Sequence, residues 1–291
     1  MVRRTAGALA ALLVLGAALV GEAQHGYAGF DRNDYPGDAA LTALRRSFSY
    51  TGYWLNNPPG EQRNSWLGKR LLLKQHGFGF LVLFNGRADE EIKGAESKGT
   101  PAAALGAADG KAAVAAAAQE GFPANVLIFL DQEEGGRLLP EQTAYLFAWI
   151  YAVRAAGARA GVYCSGIPVP DGNSTISTAE SIAEWLASVP QPLPQSAERQ
   201  PVALWIADDR CPPSPGCSTK APELSVASYP SANAIAKAWQ YAQSPRRAQF
   251  SAGCPANQAA DGNCYAPGLA HSSSSFVDLD TADSPDPSEG H

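Results

Sequence analysis

The chain has 291 residues, of which 45% are hydrophobic and 17% are charged, and its formal net charge is −6. This length suits one large barrel domain of about 250 residues, and the composition excludes wholesale disorder. The acidic balance argues against a nucleic-acid partner and is compatible with a neutral ligand such as a glycan.

The first 23 residues are typical of an export signal. Arg3 and Arg4 precede an apolar run over residues 6–20, and Gly21-Glu22-Ala23 supplies small residues for cleavage. Such a run is short for a membrane span. We expect cleavage after Ala23, a secreted, periplasmic or cell-envelope location, and no membrane span in the mature chain. An uncleaved anchor is the alternative, and the Arg pair leaves twin-arginine export open.

Eight β-rich runs alternate with helical stretches, which predicts an α/β fold, a (β/α)8 TIM-type barrel with parallel strands. Runs 125–133 and 201–208 are continuously apolar and end in polar residues, as strands buried on both faces do. The predicted strands are Ala28–Arg32, Phe48–Leu55, Phe78–Asn85, Asn125–Glu133, Arg159–Ser165, Pro201–Asp208, Ala238–Gln243 and Phe276–Asp280. The predicted helices cover 38–46, 65–75, 111–120, 140–156 and 177–189.

The second half of the chain is less regular than the first. Long loops rich in Pro, Gly and Ser are predicted at 190–194, 211–230 and 245–275. We expect the barrel domain over residues 24–281 and a disordered tail over 282–291, because the tail combines prolines with acidic residues.

Five cysteines fit an oxidising compartment. Cys211 and Cys217 bracket a Pro-rich turn, and Cys254 and Cys264 bracket a loop rich in Gly, Asn and Asp, so two local disulfides are predicted. Cys164 lies in an apolar strand and is expected to be a buried thiol. A zinc site is disfavoured because paired CxxC spacing and neighbouring histidines are missing from the sequence, and we expect no metal and no cofactor.

The sharpest motif is Asp131-Gln132-Glu133, which ends the strongest predicted strand. Because side chains alternate along a strand, Asp131 and Glu133 point to the same side, which at this position is the mouth of the barrel. Two neighbouring carboxylates repel each other, and one is pushed towards its protonated form. Such a pair suits the cleavage of a glycosidic bond.

Two further predicted strands carry acids at their ends. Asp31 ends the first strand, and Asp278 and Asp280 lie on one face of the last. The first and last strands are neighbours in a closed barrel, so Asp31 and Asp278 are expected to lie close together. The alternative for each acid is a helix cap or a surface salt bridge.

Aromatic, amide and basic side chains near other strand ends suit a sugar-binding pocket, because sugar rings stack on aromatic faces and hydroxyl groups bond to amides. The candidate substrate-binding residues are Tyr53, Asn85, Arg87, Tyr163, Trp205, Gln240 and Tyr241. Strand parity lets only alternate residues face inwards, so some of these aromatics are expected to belong to the core.

The ordered series GFDRNDYPG, GYWL, DQE, AGVYCSG, LWIADD, WQYAQS and FVDLD resembles the bacterial glycoside hydrolase-like domain, the domain of unknown function 1906, over residues 29–280. That group is similar in turn to family 25 lysozyme-like muramidases. The resemblance implies a barrel acting on peptidoglycan or a related polymer. It implies Glu133 as general acid, Asp131 as an orienting or stabilising group, and Asp31 and Asp278 as the first-strand and last-strand acids.

The second-strand sequence GYWLNNPPG and the long cysteine-bearing loops fit the uncharacterised group better than the true lysozymes. We therefore expect a monomeric glycosidase acting on cell-wall glycan, with a non-catalytic glycan-binding barrel as the alternative. Hydrolysis of a phosphodiester is a third hypothesis, disfavoured by the scarcity of histidines and of a basic cluster.

Overall fold

The structure is a computed structural model that describes residues 26–188, 201–210, 217–218, 222, 235–251 and 260–291. The predicted export signal lies outside the described residues, as do Cys211 and Cys254. Within the described part of the chain, none of the helices is both long and apolar enough to cross a membrane.

Eight strands close into one barrel in the spatial order β1-β10-β9-β8-β5-β4-β3-β2, which confirms the predicted TIM-type architecture. A separate hairpin, β6 and β7, follows β5. The strands are β1 (Tyr27–Asp31), β2 (Tyr50–Trp54), β3 (Gly79–Asn85), β4 (Leu127–Gln132), β5 (Arg159–Ser165), β6 (Val169–Asp171), β7 (Ser174–Ile176), β8 (Ala203–Ala207), β9 (Ala236–Ala242) and β10 (Asp278–Ala282).

One strand departs from the predicted parallel sheet. β10 runs antiparallel to both of its neighbours, β1 and β9, whereas the other barrel pairs are parallel. Its register sets Asp278 opposite Asp31, and Asp280 opposite Gly29. Because β10 is reversed, its first residues, and not its last, lie at the mouth formed by the carboxyl ends of the parallel strands.

Helices pack around the barrel and bury its outer face. They are α1 (Leu41–Arg45), α2 (Arg70–Gln75), α3 (Asp89–Glu96), α4 (Ala102–Gln119), α5 (Pro140–Ala155), α6 (Thr178–Ser188) and α7 (Ala248–Ser251). α4 begins well before its predicted start. Its glycines Gly106 and Gly110 let the helix backbone approach α5, since a Cβ on Gly106 would lie 2.0 Å from the Tyr145 carbonyl oxygen.

The expectation of a disordered tail is wrong. Residues 283–291 fold back across the bottom of the barrel, where Ser288 is fully buried. The Ser288 hydroxyl accepts a hydrogen bond from Val82 N at 2.9 Å, and Asp286 Oδ1 accepts one from Phe80 N at 2.9 Å. The tail therefore supplies acceptors to β3 backbone N–H groups, which accounts for polar residues in an ordered segment.

The predicted pairing of the cysteines is also wrong. Cys217 is bonded to Cys264, with a Cα–Cα distance of 5.2 Å and a separation of 47 residues. Since each cysteine forms one disulfide, neither local pair can exist. The bond ties the segment after β8 to the segment before β10, so it closes a long loop instead of a short one. Cys164 is a buried free thiol, as predicted.

Candidate functional site

Carboxyl groups from three strands converge inside the upper part of the barrel. Asp31 ends β1, Asp131 lies near the end of β4, and Asp278 begins β10. Glu133 follows β4 directly, two residues beyond Asp131 and on the same side. Asp280 lies one step deeper on β10. Besides burial, the negative charge of Asp31 raises the pKa of Asp131, Asp278 and Asp280, and that of Glu133 raises the pKa of Asp31. We refer to these five groups as the acidic cluster.

Asp31 is held by a chain of hydrogen bonds across the barrel. Gln240 Nε2 donates to Asp31 Oδ2 at 2.8 Å, and Tyr163 OH donates to Gln240 Oε1 at 2.9 Å. Burial raises the pKa of Asp31 to about 6, while hydrogen bonds from Gln240 and Asp280 oppose the rise. Asp31 therefore changes charge near neutral pH.

Asp131 is the most isolated acid of the cluster. It is 4% exposed, and both of its carboxyl oxygens are buried without a hydrogen-bond partner. Burial, followed by repulsion from Glu133 and Asp31, raises its pKa well above the ordinary value. A buried carboxylate without donors is costly, so this environment favours the protonated acid.

Glu133 is the exposed acid at the mouth. The surrounding protein raises its pKa by desolvation, and the positive charge of Arg247 opposes the rise. The next residue, Glu134, anchors this loop: it accepts a hydrogen bond from Asp89 N at 2.9 Å and another from Gln142 Nε2. Glu134 thus ties the loop to α3 and α5 and fixes the place of Glu133.

Asp278 and Arg247 occupy the opposite side of the mouth. Asp278 Oδ1 accepts a hydrogen bond from Ser244 N at 2.6 Å. Burial and then the charge of Asp31 raise the pKa of Asp278 well above its ordinary value, whereas Arg247 lowers it. Arg247 also forms a bidentate ion pair with Asp209. The mouth therefore carries the guanidinium of Arg247 beside its acids.

A cavity of about 260 Å³ adjoins Glu133, between the loops that follow β3 and β4. Asn85, Arg87 and Gln132 line it, and Gln132 has a buried amide oxygen with no partner. A second cavity of about 530 Å³ shares Gly60 with the first and extends over residues 60–65. The two cavities meet at Gly60, and we refer to them together as the groove beside Glu133.

Five of the seven predicted substrate-binding residues fall into three groups. Asn85 and Arg87 line the cavity beside Glu133. Tyr163 and Gln240 face the barrel interior and take part in the network around Asp31. Trp205 also faces inwards but is 1% exposed and donates to Asp280 Oδ1 at 3.0 Å, so it belongs to the core below the mouth.

The prediction that Tyr53 and Tyr241 bind substrate is wrong, because both side chains point outwards from the barrel. Tyr53 donates to Glu120 and packs edge-on against Phe122. Tyr241 donates to the Ser218 carbonyl oxygen at 2.9 Å. Alternation along the strand carries these side chains away from the mouth.

Sequence reasoning did not select four residues that shape the site, which are Gln132, Glu134, Arg247 and Asp280. The sequence places Asp280 on the same face as Asp278, but only Asp278 was predicted as a site residue. Arg247 lies in a loop, and no local pattern relates it to Glu133. Across the described ranges, no group of three or more His, Cys, Asp or Glu side chains is arranged to hold a metal ion.

Comparisons with known proteins agree with this architecture. The sequence model of the Rv2525c-like, glycoside hydrolase-like domain family matches residues 56–214. An uncharacterized B. stearothermophilus protein is similar in structure, with a TM-score of 0.56 and 19% identity over 88% of this chain and 96% of that chain. At this identity the likeness concerns the fold. No curated protein sequence matches the chain.

Two further solved structures resemble the chain more distantly. The Tat-secreted protein Rv2525c of Mycobacterium tuberculosis has a TM-score of 0.48 and 12% identity over 89% of this chain and 95% of that chain. A family 25 glycosyl hydrolase from Bacillus anthracis has a TM-score of 0.41 and 11% identity over 92% of this chain and 94% of that chain.

Proposed function

Because the chain belongs to the Rv2525c-like, glycoside hydrolase-like domain family, as its motifs predicted, we propose that it is a glycosidase that cleaves a peptidoglycan-type cell-wall glycan. The observation that carries the proposal is one exposed acid, Glu133, above several buried carboxyl groups. Glycosidic bonds are cleaved by an acid that protonates the leaving oxygen and a carboxylate that stabilises positive charge.

Glu133 is the general acid in this proposal. Its side chain is exposed and can touch a substrate, and desolvation raises its pKa, which favours the protonated form that a general acid needs. Glu133 transfers its proton to the bridging oxygen, and the C–O bond breaks with its electron pair going to that oxygen. Water then adds to the sugar carbon and returns a proton to the Glu133 carboxylate.

Asp31 is the carboxylate that faces the positive charge on the sugar ring. With a pKa of about 6, it is ionised at neutral pH, whereas the buried environment of Asp131 favours a proton there. Of the acids that the sequence suggests for charge stabilisation, which are Asp131 together with Asp31 or Asp278, Asp31 therefore suits the role better than Asp131. Asp131 in its acid form offers an O–H donor beneath Glu133.

The groove beside Glu133 suits a polymer with hydroxyl and acetamido groups. The unpartnered Gln132 oxygen is an acceptor for an amide N–H. Asn85 donates to the Asn57 carbonyl oxygen and keeps its amide oxygen as an acceptor, whereas Arg87 is paired with Asp109 and shapes the wall of the cavity. The second cavity prolongs this surface past Gly60, which gives room for further sugar units. We propose that the glycan lies along this groove.

The test compares wild type with Glu133→Gln on purified peptidoglycan, measuring released reducing ends. We expect turnover to fall by roughly 10²–10⁴-fold, because the amide cannot protonate the leaving oxygen. Glu90→Gln is the matched control, since Glu90 is an exposed glutamate on α3, and it should keep wild-type turnover. Equal turnover by wild type and Glu133→Gln would refute the role of Glu133.

A non-catalytic glycan-binding barrel is the second candidate, favoured by the burial of both Asp131 oxygens. Under this alternative, wild type would bind cell walls without releasing reducing ends. Glu133→Gln would then bind as wild type does, whereas Asn85→Ala in the groove would bind more weakly.

We also propose that the protein is exported. The N-terminal sequence has the pattern of a signal peptide, and the Cys217–Cys264 disulfide is typical of an oxidising compartment. Expression of the full chain should yield a mature form whose mass lacks residues 1–23, found outside the cytoplasm. An intracellular, uncut chain would contradict this localisation.

A further inference from the structure

Asp280 is a fully buried acid for which the proposed reaction has no use. Trp205 Nε1 donates to its Oδ1 at 3.0 Å, whereas its Oδ2 receives no N–H or O–H donor. Leaving a buried charged oxygen without a donor costs more than a lost hydrogen bond between neutral groups. The environment is therefore suited to a carboxylic acid with its proton on Oδ2.

The neighbour that can accept this proton is Asp31. Asp280 pairs with Gly29 across the antiparallel ladder, and Asp31 follows two residues later on the same face of β1. Since Gly29 has no side chain, no side chain of β1 lies between the two carboxyl groups, and the ring of Tyr50 packs over Gly29. Two carboxylates are both acceptors, so Asp31 and Asp280 can form a hydrogen bond only if one of them holds a proton.

The other groups around Asp280 do not favour its ionised form. Asp278 on the same strand adds a further acid, whose charge raises the pKa of Asp280. Burial, followed by the charge of Asp280, raises the pKa of the phenols of Tyr50 on β2 and Tyr241 on β9. Ionisation of Asp280 would place a second negative charge beside Asp31. Asp31, in contrast, has a fixed donor in Gln240.

We propose that Asp280 holds a proton and donates it in a hydrogen bond to Asp31, which makes Asp280 a positioning residue for the Asp31 carboxylate. Asp31 then has donors on two sides, Gln240 and Asp280, and its orientation beneath the mouth is fixed. The consequence for catalysis rests on the proposed glycosidase function, but the placement of the proton does not.

Two substitutions separate this role from simple filling of space. Asp280→Asn keeps an oxygen for the Trp205 N–H and supplies an N–H donor to Asp31, so it copies the protonated acid. Asp280→Leu keeps a similar volume but removes the donor. Asp283→Asn is the control, because Asp283 lies just beyond β10 in a surface ion pair with Lys237.

The experiment follows the ¹³C carboxyl resonances of labelled aspartate by NMR during a pH titration, with Asp31→Asn and Asp280→Asn used for assignment. We expect the Asp31 midpoint to stay within about half a pH unit in Asp280→Asn and to rise by at least about one unit in Asp280→Leu. Asp283→Asn should leave it unchanged. An unchanged midpoint in Asp280→Leu, or an equal rise in Asp280→Asn, would overturn the proposal.

If Asp280→Leu does not fold, the wild-type spectrum still decides the matter. The Asp280 carboxyl should show the shift of a protonated acid at neutral pH, and an ionised signal there would overturn the proposal. In active protein, the acidic limb of kcat/KM should move to higher pH in Asp280→Leu and stay in place in Asp280→Asn. If the wild type hydrolyses no glycan, the proposed function is refuted. The NMR titration still tests whether Asp280 holds a proton.

Discussion

Replacing Asp31 by Asn should raise stability at neutral pH at the expense of activity. Asp31 is 7% exposed, and burial raises its pKa from 3.8 to about 6. Folding therefore favours the protonated form. The stabilisation that this proton brings is fully present below the unfolded pKa of 3.8 and is lost as the pH rises through about 6. Asparagine stays neutral and avoids this loss.

The shift from 3.8 to about 6 sets the size of the effect. At about 1.4 kcal/mol per pH unit, it corresponds to roughly 3 kcal/mol in the free energy of unfolding. We expect Asp31→Asn and wild type to be similar near pH 4, and the variant to be more stable by roughly 3 kcal/mol near pH 8. For a chain of this size the gain corresponds to a rise in Tm of about 6 °C.

Urea unfolding at the two pH values measures the difference, with Asp283→Asn as a control that removes a carboxylate from the surface. The control should change little between the two conditions. The reasoning is refuted if the stability difference between Asp31→Asn and wild type is the same at both pH values, or if the wild type is more stable near pH 8. The variant should also lose turnover of glycan, as substitutions in charged active sites often trade activity for stability.

Three further predictions concern residues outside the acidic cluster. Replacing Cys217 and Cys264 by Ser should lower the free energy of unfolding by up to about 4 kcal/mol, because their separation of 47 residues closes a long loop. Gly106→Ala should cost about 2 kcal/mol in urea unfolding, since the new Cβ would meet the Tyr145 carbonyl oxygen at 2.0 Å. Glu134→Ala should lower kcat at least about 10-fold, because it frees the loop that positions Glu133.

Each of these predictions has a matched comparison. Gly94→Ala on α3 places its Cβ in open space and should not destabilise, so equal losses for the two glycines would contradict the packing argument. Dithiothreitol should lower the Tm of wild type but not of the double Ser variant. Glu90→Ala, on an exposed face of α3, should keep kcat, and retention of full kcat by Glu134→Ala would exclude the anchoring role.

The fold was largely predictable because the barrel strands are apolar on both faces, which gives continuous runs such as residues 125–133. The helices were less predictable. The start of α4 contains Gly106 and Gly110, which lower helix propensity, but these glycines are required where α4 meets α5. Tertiary packing therefore overrides the local signal, and the same is true of the polar tail that caps β3.

The acids of the site were predictable because strand ends collect at one edge of a parallel barrel, which brings Asp31 and Asp131 together. The aromatic residues were not, because a shift of one position moves a side chain to the opposite face. Tyr53 and Tyr241 show this effect, since each lies one residue from an inward-facing position. The cysteine pairing failed for another reason, because closeness in sequence does not measure distance across a fold.

The reversal of β10 explains how one short motif supplies acids in two different environments. If β10 ran parallel to the other barrel strands, Asp280 would lie nearer to the solvent than Asp278. In the antiparallel strand, Asp278 lies at the mouth and meets Ser244 N, while Asp280 lies deeper and meets Trp205. Environment decides protonation, so two aspartates separated by one residue can serve different purposes. The direction of the last strand, which hydrophobic runs do not encode, thus determines which acid can reach a substrate.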